Sequence, residues 1–141
     1  MRSPFQSIGT WLIGAFFILA GAYHFLKPAP YIAMMPPWLP APAILVAISG
    51  AAEIAGGLGV LIPSCRRWAA WGLIALLIAV FPANLHVALH GWPGADLPQW
   101  VLWLRLPFQL VFLWLVHRCC LAGSTPDNAP QSNTNTNKQK V

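Results

Sequence analysis

Four long apolar runs dominate the chain, and prolines, glycines or arginines break each from the next. They extend from about Ile8 to Phe25, Ala43 to Ile62, Trp68 to His90 and Gln99 to His117. A helix needs roughly 20 apolar residues to cross the hydrocarbon core of a bilayer, so each run predicts one transmembrane span. Pro63 and the Ser64–Arg67 stretch end the second run, and Gly91, Pro93 and Gly94 end the third, because these residues interrupt helical backbone. The predicted fold is all-α, a four-helix transmembrane bundle over residues 1–121. The tail over 122–141 is polar, with NTNTN at 133–137, and is expected to be disordered because nothing in it can bury a core.

The first run has a second reading. Arg2, the apolar stretch and Ala20-Gly21-Ala22 mimic a signal peptide with its small-residue cleavage site. The apolar run continues through Tyr23, Phe25 and Leu26, which favours a retained span.

Composition agrees with a membrane class. The 141 residues are 57% hydrophobic and 8% charged, against about 25% charged in a soluble domain. The net charge of +5 is spread singly or in one pair over connections and ends. No basic stripe with interleaved aromatics is present, so no nucleic-acid partner is expected. Arg2, Arg66, Arg67, Arg118, Lys138 and Lys140 fall on one side of a four-span arrangement, and Lys27 falls on the other with Asp96. The positive-inside rule then places both termini in the cytoplasm, with the chain in the plasma (inner) membrane and the lipid bilayer as its first partner. Trp11, Trp68, Trp71 and Trp114 mark the inner interface, and Trp38, Trp92, Trp100 and Trp103 the outer one, as belt residues do. Cys65, Cys119 and Cys120 form no CxxC. Their odd count gives no disulfide framework, and reduced thiols are expected.

The first outer connection, Lys27 to Pro42, holds Pro28, Pro30, Pro36, Pro37, Pro40 and Pro42 among the apolar Met34, Met35, Trp38 and Leu39. Proline resists helix interiors, so the segment reads as an extended flap on the outer interface, or as a stiff linker with no role.

Among all the Lys, Arg, Asp and Glu residues, only Glu53 and Arg105 fall inside the apolar runs. A charge near the middle of a membrane helix costs about 2.5–3.5 kcal/mol on insertion scales, and such charges are expected to pair at a site. Ser49, Gly50, Gly56 and Gly57 share the face of Glu53. Small residues at this spacing let helices approach closely, which turns Glu53 toward the bundle. Arg105 lies about six residues into the fourth run, roughly 9 Å below the outer surface at 1.5 Å per residue. It is expected to pair with Glu53 rather than snorkel outward. Gln109 follows one turn deeper, and Pro107 frees the carbonyl of Trp103.

The third run carries Phe81-Pro82-Ala83-Asn84-Leu85-His86 and then His90. Pro82 should kink the helix and expose a carbonyl one turn earlier. Asn84 is suited to bridge a carboxylate and a backbone group, since its amide both donates and accepts. His86 and His90 have an i, i+4 spacing that can bind metal, but no third ligand follows, and His86 lies about 200° around the helix from Asn84. No metal site is expected. His24 closes the first run, just before Lys27 and Pro28. All these polar groups lie from mid-membrane to the outer surface, and none is expected in the inner half. The pattern predicts a polar pocket that opens outward over a floor at Glu53, with Glu53, Arg105, Gln109, Asn84 and His24 as its binding groups and His86, Ser49 and Lys27 in secondary positions.

These residues resemble the DoxX-like family of small membrane proteins. The matching stretches are Tyr23-His24-Phe25 with Lys27-Pro28, Ser49-Gly50 with Glu53 and Gly56-Gly57, Phe81-Pro82-Ala83-Asn84, and Arg105-Leu106-Pro107 with Gln109. Their order and spacing cover roughly residues 8–117. The resemblance implies a four-helix transmembrane bundle. It also implies a link to redox complexes such as thiosulfate–quinone oxidoreductase or an oxidative-stress complex, or, in a distant branch, to receptor chaperoning. Some redox-linked relatives rely on cysteines, and the cysteines here lie on the opposite side from the pocket.

Two functions follow as expectations. The first is a redox-associated accessory subunit that binds a quinone-like headgroup, with Arg105, Gln109 and Asn84 bonding its carbonyls and Glu53 or His24 handling a proton. The second is a non-catalytic assembly or chaperone subunit in which the polar cluster fixes helix register. A small transporter fits poorly, because transport paths show polar groups across the whole membrane. No nucleophile–base arrangement, phosphate loop or nucleotide fingerprint points to an enzyme. One four-helix unit buries little surface, which makes a homodimer an option that no residue pattern selects.

Overall fold

A computed structural model describes residues 4–94 and 96–122. It contains α1 (Pro4–Leu26), α2 (Pro28–Ala33), α3 (Pro42–Leu61), α4 (Arg66–His90) and α5 (Gln99–Val116), and α5 continues into a π-helical turn over His117–Leu121. Four stretches are long and apolar enough to cross a membrane: Gln6–Leu26, Pro42–Leu61, Arg66–His90 and Gln99–Leu121. These are the four spans expected from the sequence, each longer or shifted by a few residues. α1 runs unbroken through Ala20-Gly21-Ala22. The polar tail lies outside the described residues from residue 123 onward.

The spans pack in chain order. α1 lies along α3, α3 on α4 and α4 on α5, whereas α5 and α1 touch only sparsely. The chain enters α1 and leaves α5 at one end of the bundle, the near end. Lys27 and Gly91 mark the opposite, far end.

Local chemistry sets the helix boundaries. α3 stops at Ile62, which is extended (φ −88, ψ 115). Its successor is Pro63, and the proline ring disfavours helical backbone in the residue before it. The side chain of Arg66 turns back and its Nε donates to the Val60 carbonyl at 2.6 Å. That places a cation on the carbonyl end of α3, where the helix dipole favours it. At the far end, Gly91 takes φ 85 and donates its N–H to the Val87 carbonyl at 2.9 Å, ending α4.

The proline-rich connection is not extended. Its first part is the short helix α2, because Pro28 occupies the opening helical position, where a missing N–H costs nothing. Pro36 onward returns to turns, and Ala41 adopts a left-handed conformation (φ 48) before α3 begins at Pro42.

The buried apolar side chains form two groups. One, toward the near end, joins Ile13, Phe17, Val60, Ala70, Leu73, Val116, Cys119 and Cys120. The other, toward the far end, joins Met34, Ala83, Val87 and Leu102, with Tyr31, Met35 and Trp92 against it. Cys65 is exposed and Cys119 and Cys120 are buried, and none of the three forms a disulfide.

The near-end half, expected to hold no polar group, is not devoid of them. Thr10 is buried there, and its hydroxyl shares its proton between the carbonyls of Gln6 at 2.7 Å and Cys119 at 3.1 Å. It joins α1 to the π-helical turn, whose wider loop also carries the Ala122 N–H to His117 carbonyl bond. One polar residue in an apolar run gives no charge signal, so hydropathy passes over it.

The closest helix contact is glycine on glycine. A Cβ at Gly21 would stand 2.5 Å from the Gly50 carbonyl oxygen, and one at Gly57 would stand 2.8 Å from the Gly14 carbonyl oxygen. The seven-residue spacing of both pairs keeps one seam of α1 against one seam of α3. In lipid, van der Waals contact of this kind is a principal source of helix association. A Cβ at Gly50 would fall 2.7 Å from the Cβ of His24. Gly50→Ala is therefore expected to cost about 1–3 kcal/mol through overpacking, read as an earlier midpoint in a denaturant titration of the detergent-solubilised protein. Gly72→Ala, where nothing lies within 4 Å, should leave that midpoint unchanged or slightly later.

Candidate ligand-binding site

The glycine seam delivers the first functional group. With α1 drawn onto α3, His24 in the last turn of α1 meets Glu53, its Nδ1 3.3 Å from Oε2. The side chains are 10% and 14% exposed. His24 Nδ1 also lies 3.0 Å from the Ala20 carbonyl. One ring N–H cannot serve both acceptors well, and Glu53 Oε2 is buried without a directed hydrogen bond. The imidazole stacks on the Tyr31 ring at 3.8 Å and 30°. Burial, with the Glu53 carboxylate nearby, holds the Tyr31 phenol above its ordinary pKa, and Arg105 opposes this weakly. At neutral pH the phenol is a neutral donor.

Arg105 does not pair with Glu53. Among the described residues the only partner within ion-pair distance of Glu53 is His24. The guanidinium of Arg105 instead lies 4.4 Å over the Trp92 ring, a cation–π contact. Its Nη1 is buried with no hydrogen-bond partner. The expected pair is replaced because the α1–α3 seam gives the carboxylate a nearer partner, the His24 imidazole, while the α4–α5 connection supplies an aromatic face for the arginine. Tyr31 interacts electrostatically with both charges.

Gln109 and Asn84 form a separate unit. Asn84 Nδ2 donates to Gln109 Oε1 at 3.1 Å, and Gln109 Nε2 donates to the Leu77 carbonyl. Asn84 therefore meets an amide, not the carboxylate expected of it. Pro82 lacks the N–H that would return to the Ile78 carbonyl, and its ring crowds that turn. The carbonyl that gains a side-chain donor is that of Leu77, one residue before the position directly opposite Pro82. Ser49 donates to the Val46 carbonyl at 2.9 Å.

His24, Ser49, Glu53, Asn84, Arg105 and Gln109, together with Tyr31, line one cavity of about 710 Å³. The rest of its wall is apolar, from Phe16, Phe17 and Phe112 at the base to Met34, Met35, Trp38 and Leu39 over the top. The proline-rich connection therefore covers the cavity. Lys27 and His86 stand apart from its wall. Lys27 is exposed before α2, and His86 stacks on His90 at 4.3 Å. Among the described residues no group of three or more His, Cys, Asp or Glu is placed to hold a metal ion.

Sequence reasoning missed Tyr31 and gave Trp92 only a belt role. The position of Tyr31, three residues after Pro28, was a usable signal once a short helix is allowed. The role of Trp92 depends on how the α4–α5 connection folds back, which no local pattern encodes.

The fold and cavity define a small multi-pass membrane protein with a polar-lined chamber between its helices. Residues 13–120 match a family described as a domain of unknown function (DUF8561), and the chain belongs to that family. The matched stretch contains every residue of the cavity wall. No curated protein and no solved structure matches the chain.

The Asn84–Gln109 bond joins α4 to α5 within the membrane. In a double-mutant cycle with Asn84→Leu and Gln109→Leu, thermal or denaturant midpoints should give a coupling of about 0.6–1.7 kcal/mol, the range of interhelical hydrogen bonds in bilayers.

Proposed function

We propose that the cavity binds the headgroup of a quinone and that the protein is a quinone-linked accessory subunit of a membrane oxidoreductase. One observation carries this reading: an acceptor and a donor of opposite charge, Glu53 Oε2 and Arg105 Nη1, are both buried without hydrogen-bond partners on the wall of one largely apolar cavity. An unmet buried polar atom is costly, and a quinol relieves both, one hydroxyl donating to Glu53 while the oxygen of the other accepts from Arg105. A quinone carbonyl accepts from Arg105, and a quinol hydroxyl donates to Glu53. The cavity suits such a ligand in size and in its few convergent polar groups. The flat faces of Tyr31 and His24 match a planar ring.

Gln109 then has a supporting role, since its amide is already engaged by Asn84 and the Leu77 carbonyl. The resemblance to DoxX-like proteins supports the redox association. The distribution of Lys and Arg supports both termini in the cytoplasm, the plasma (inner) membrane as location and a cavity in its outer half. A reporter enzyme active only in the cytoplasm should be active when fused after Lys140.

The competing reading, a non-catalytic assembly or chaperone subunit, is favoured by the Asn84–Gln109–Leu77 chain, which is satisfied internally and fixes the register of α4 on α5. The two separate experimentally. Added ubiquinone should quench the tryptophan fluorescence of the detergent-solubilised protein, and a quinone should be found in its lipid extract. Arg105→Leu should weaken quenching about tenfold or more, as loss of a hydrogen bond to a charged group does, whereas Glu53→Gln should weaken retention of the quinol and not of the quinone. Absence of both quenching and co-purified quinone overturns the proposal. A stable partner lost in Glu53→Gln without change in redox activity favours the assembly role.

A further inference from the structure

The cavity has a side wall that headgroup binding leaves unused. Around the bundle, the contact between α1 and α5 is the weak one. It is made low in the cavity by Phe16 stacked on Phe112 at 4.4 Å, with Phe17 edge-on to Phe112 at 6.1 Å. From that contact up to the level of Arg105, Phe16, Leu104 and Phe108 have a double character. Each lines the cavity, and each is also exposed on the outer surface of the bundle, at 45%, 45% and 55%. A side chain that borders both the chamber and the lipid-facing surface marks an opening between them. Leu104 and Phe108 are one turn apart on α5, and Arg105 follows Leu104 directly, so the opening runs beside the guanidinium.

We propose that the ligand is dissolved in the bilayer and carries a hydrocarbon tail, which leaves the bundle between α1 and α5 across Phe16, Leu104 and Phe108 while its headgroup lies against Glu53 and Arg105. This rests on the quinone reading of the cavity and specifies the class: a carbonyl-bearing ring on an alkyl or prenyl chain. Three features support it. A volume of about 710 Å³ holds a headgroup and part of a tail but not the whole of a long prenyl chain. The far-end route is covered by Met34, Met35, Trp38 and Leu39. The seam is wholly apolar, so a tail lying in it leaves no polar group unsatisfied. Away from the cover, Ile48 is the other large side chain with the same double character, at 59% exposure. It belongs to α3, which is packed on α4 more fully than α1 is on α5.

The test uses the full chain in lipid nanodiscs and two probes with the same benzoquinone ring, one tailless and one with a decyl tail bearing a terminal diazirine. On illumination, the tailed probe should label the α1–α5 side at Phe16, Leu104 or Phe108, as mapped by peptide mass spectrometry. Phe108→Trp, which narrows the opening at an exposed position, should weaken the tailed probe at least tenfold more than the tailless one. Labelling at Ile48 or in the Met34–Leu39 cover overturns the tail path, as does equal tolerance of Phe108→Trp by both probes, and in either case quinone binding stands. Absence of binding by both probes removes the quinone reading itself, and the tail path with it.

Discussion

The close approach of α1 to α3 governs the rest of the structure. Gly14 and Gly21 on one helix meet Gly50 and Gly57 on the other with no room for a side chain between them. In a bilayer no hydrophobic force drives helices together, so shape at such a seam sets which helices pair and in what register. The register fixes the chemistry. It sets His24 over Gly50 and beside Glu53, and it decides which side chain the acid meets.

That decision separates two charges that composition alone would join. The carboxylate is met by a histidine from its own helix pair, and the guanidinium is held over an indole from the α4–α5 connection. Neither contact supplies all the hydrogen bonds that the charged group can make. What remains between them is an apolar chamber with one unmet acceptor and one unmet donor. A satisfied Glu53–Arg105 bridge would have stabilised the bundle and left nothing to recognise a ligand. The amide pair of Asn84 and Gln109 is the opposite case, polar groups bonded to each other and to backbone, and its effect is on the alignment of α4 and α5.

The fold was legible because hydropathy and helix breakers act locally: runs of apolar residues near the bilayer thickness, closed by Pro63 and Gly91, define spans with little help from tertiary structure. The residues of the cavity were legible as well, since a polar side chain in an apolar run is costly wherever it points. Who bonds to whom was not. Pairing depends on helix order and rotation, and the sequence marks Glu53 and Arg105 as costly without saying that His24 lies nearer. The proline-rich segment misled for a related reason: prolines count against helix in bulk, yet Pro28 stands at the one position where it starts a helix well. Thr10 escaped notice because a single hydroxyl barely alters the hydropathy of its run.

The near end is fastened several times over. Thr10 clips α1 to the π-helical turn, Arg66 ties the start of α4 to the last carbonyls of α3, and the larger apolar group fills the space between them. The far end is spanned by a thin cover and a chamber. Stiffness is thus graded along the bundle axis, like a clothes-peg whose spring sits at one extremity. A guest that parts α1 from α5, the pair with the sparsest contact, disturbs neither that base nor the glycine seam of α1 on α3.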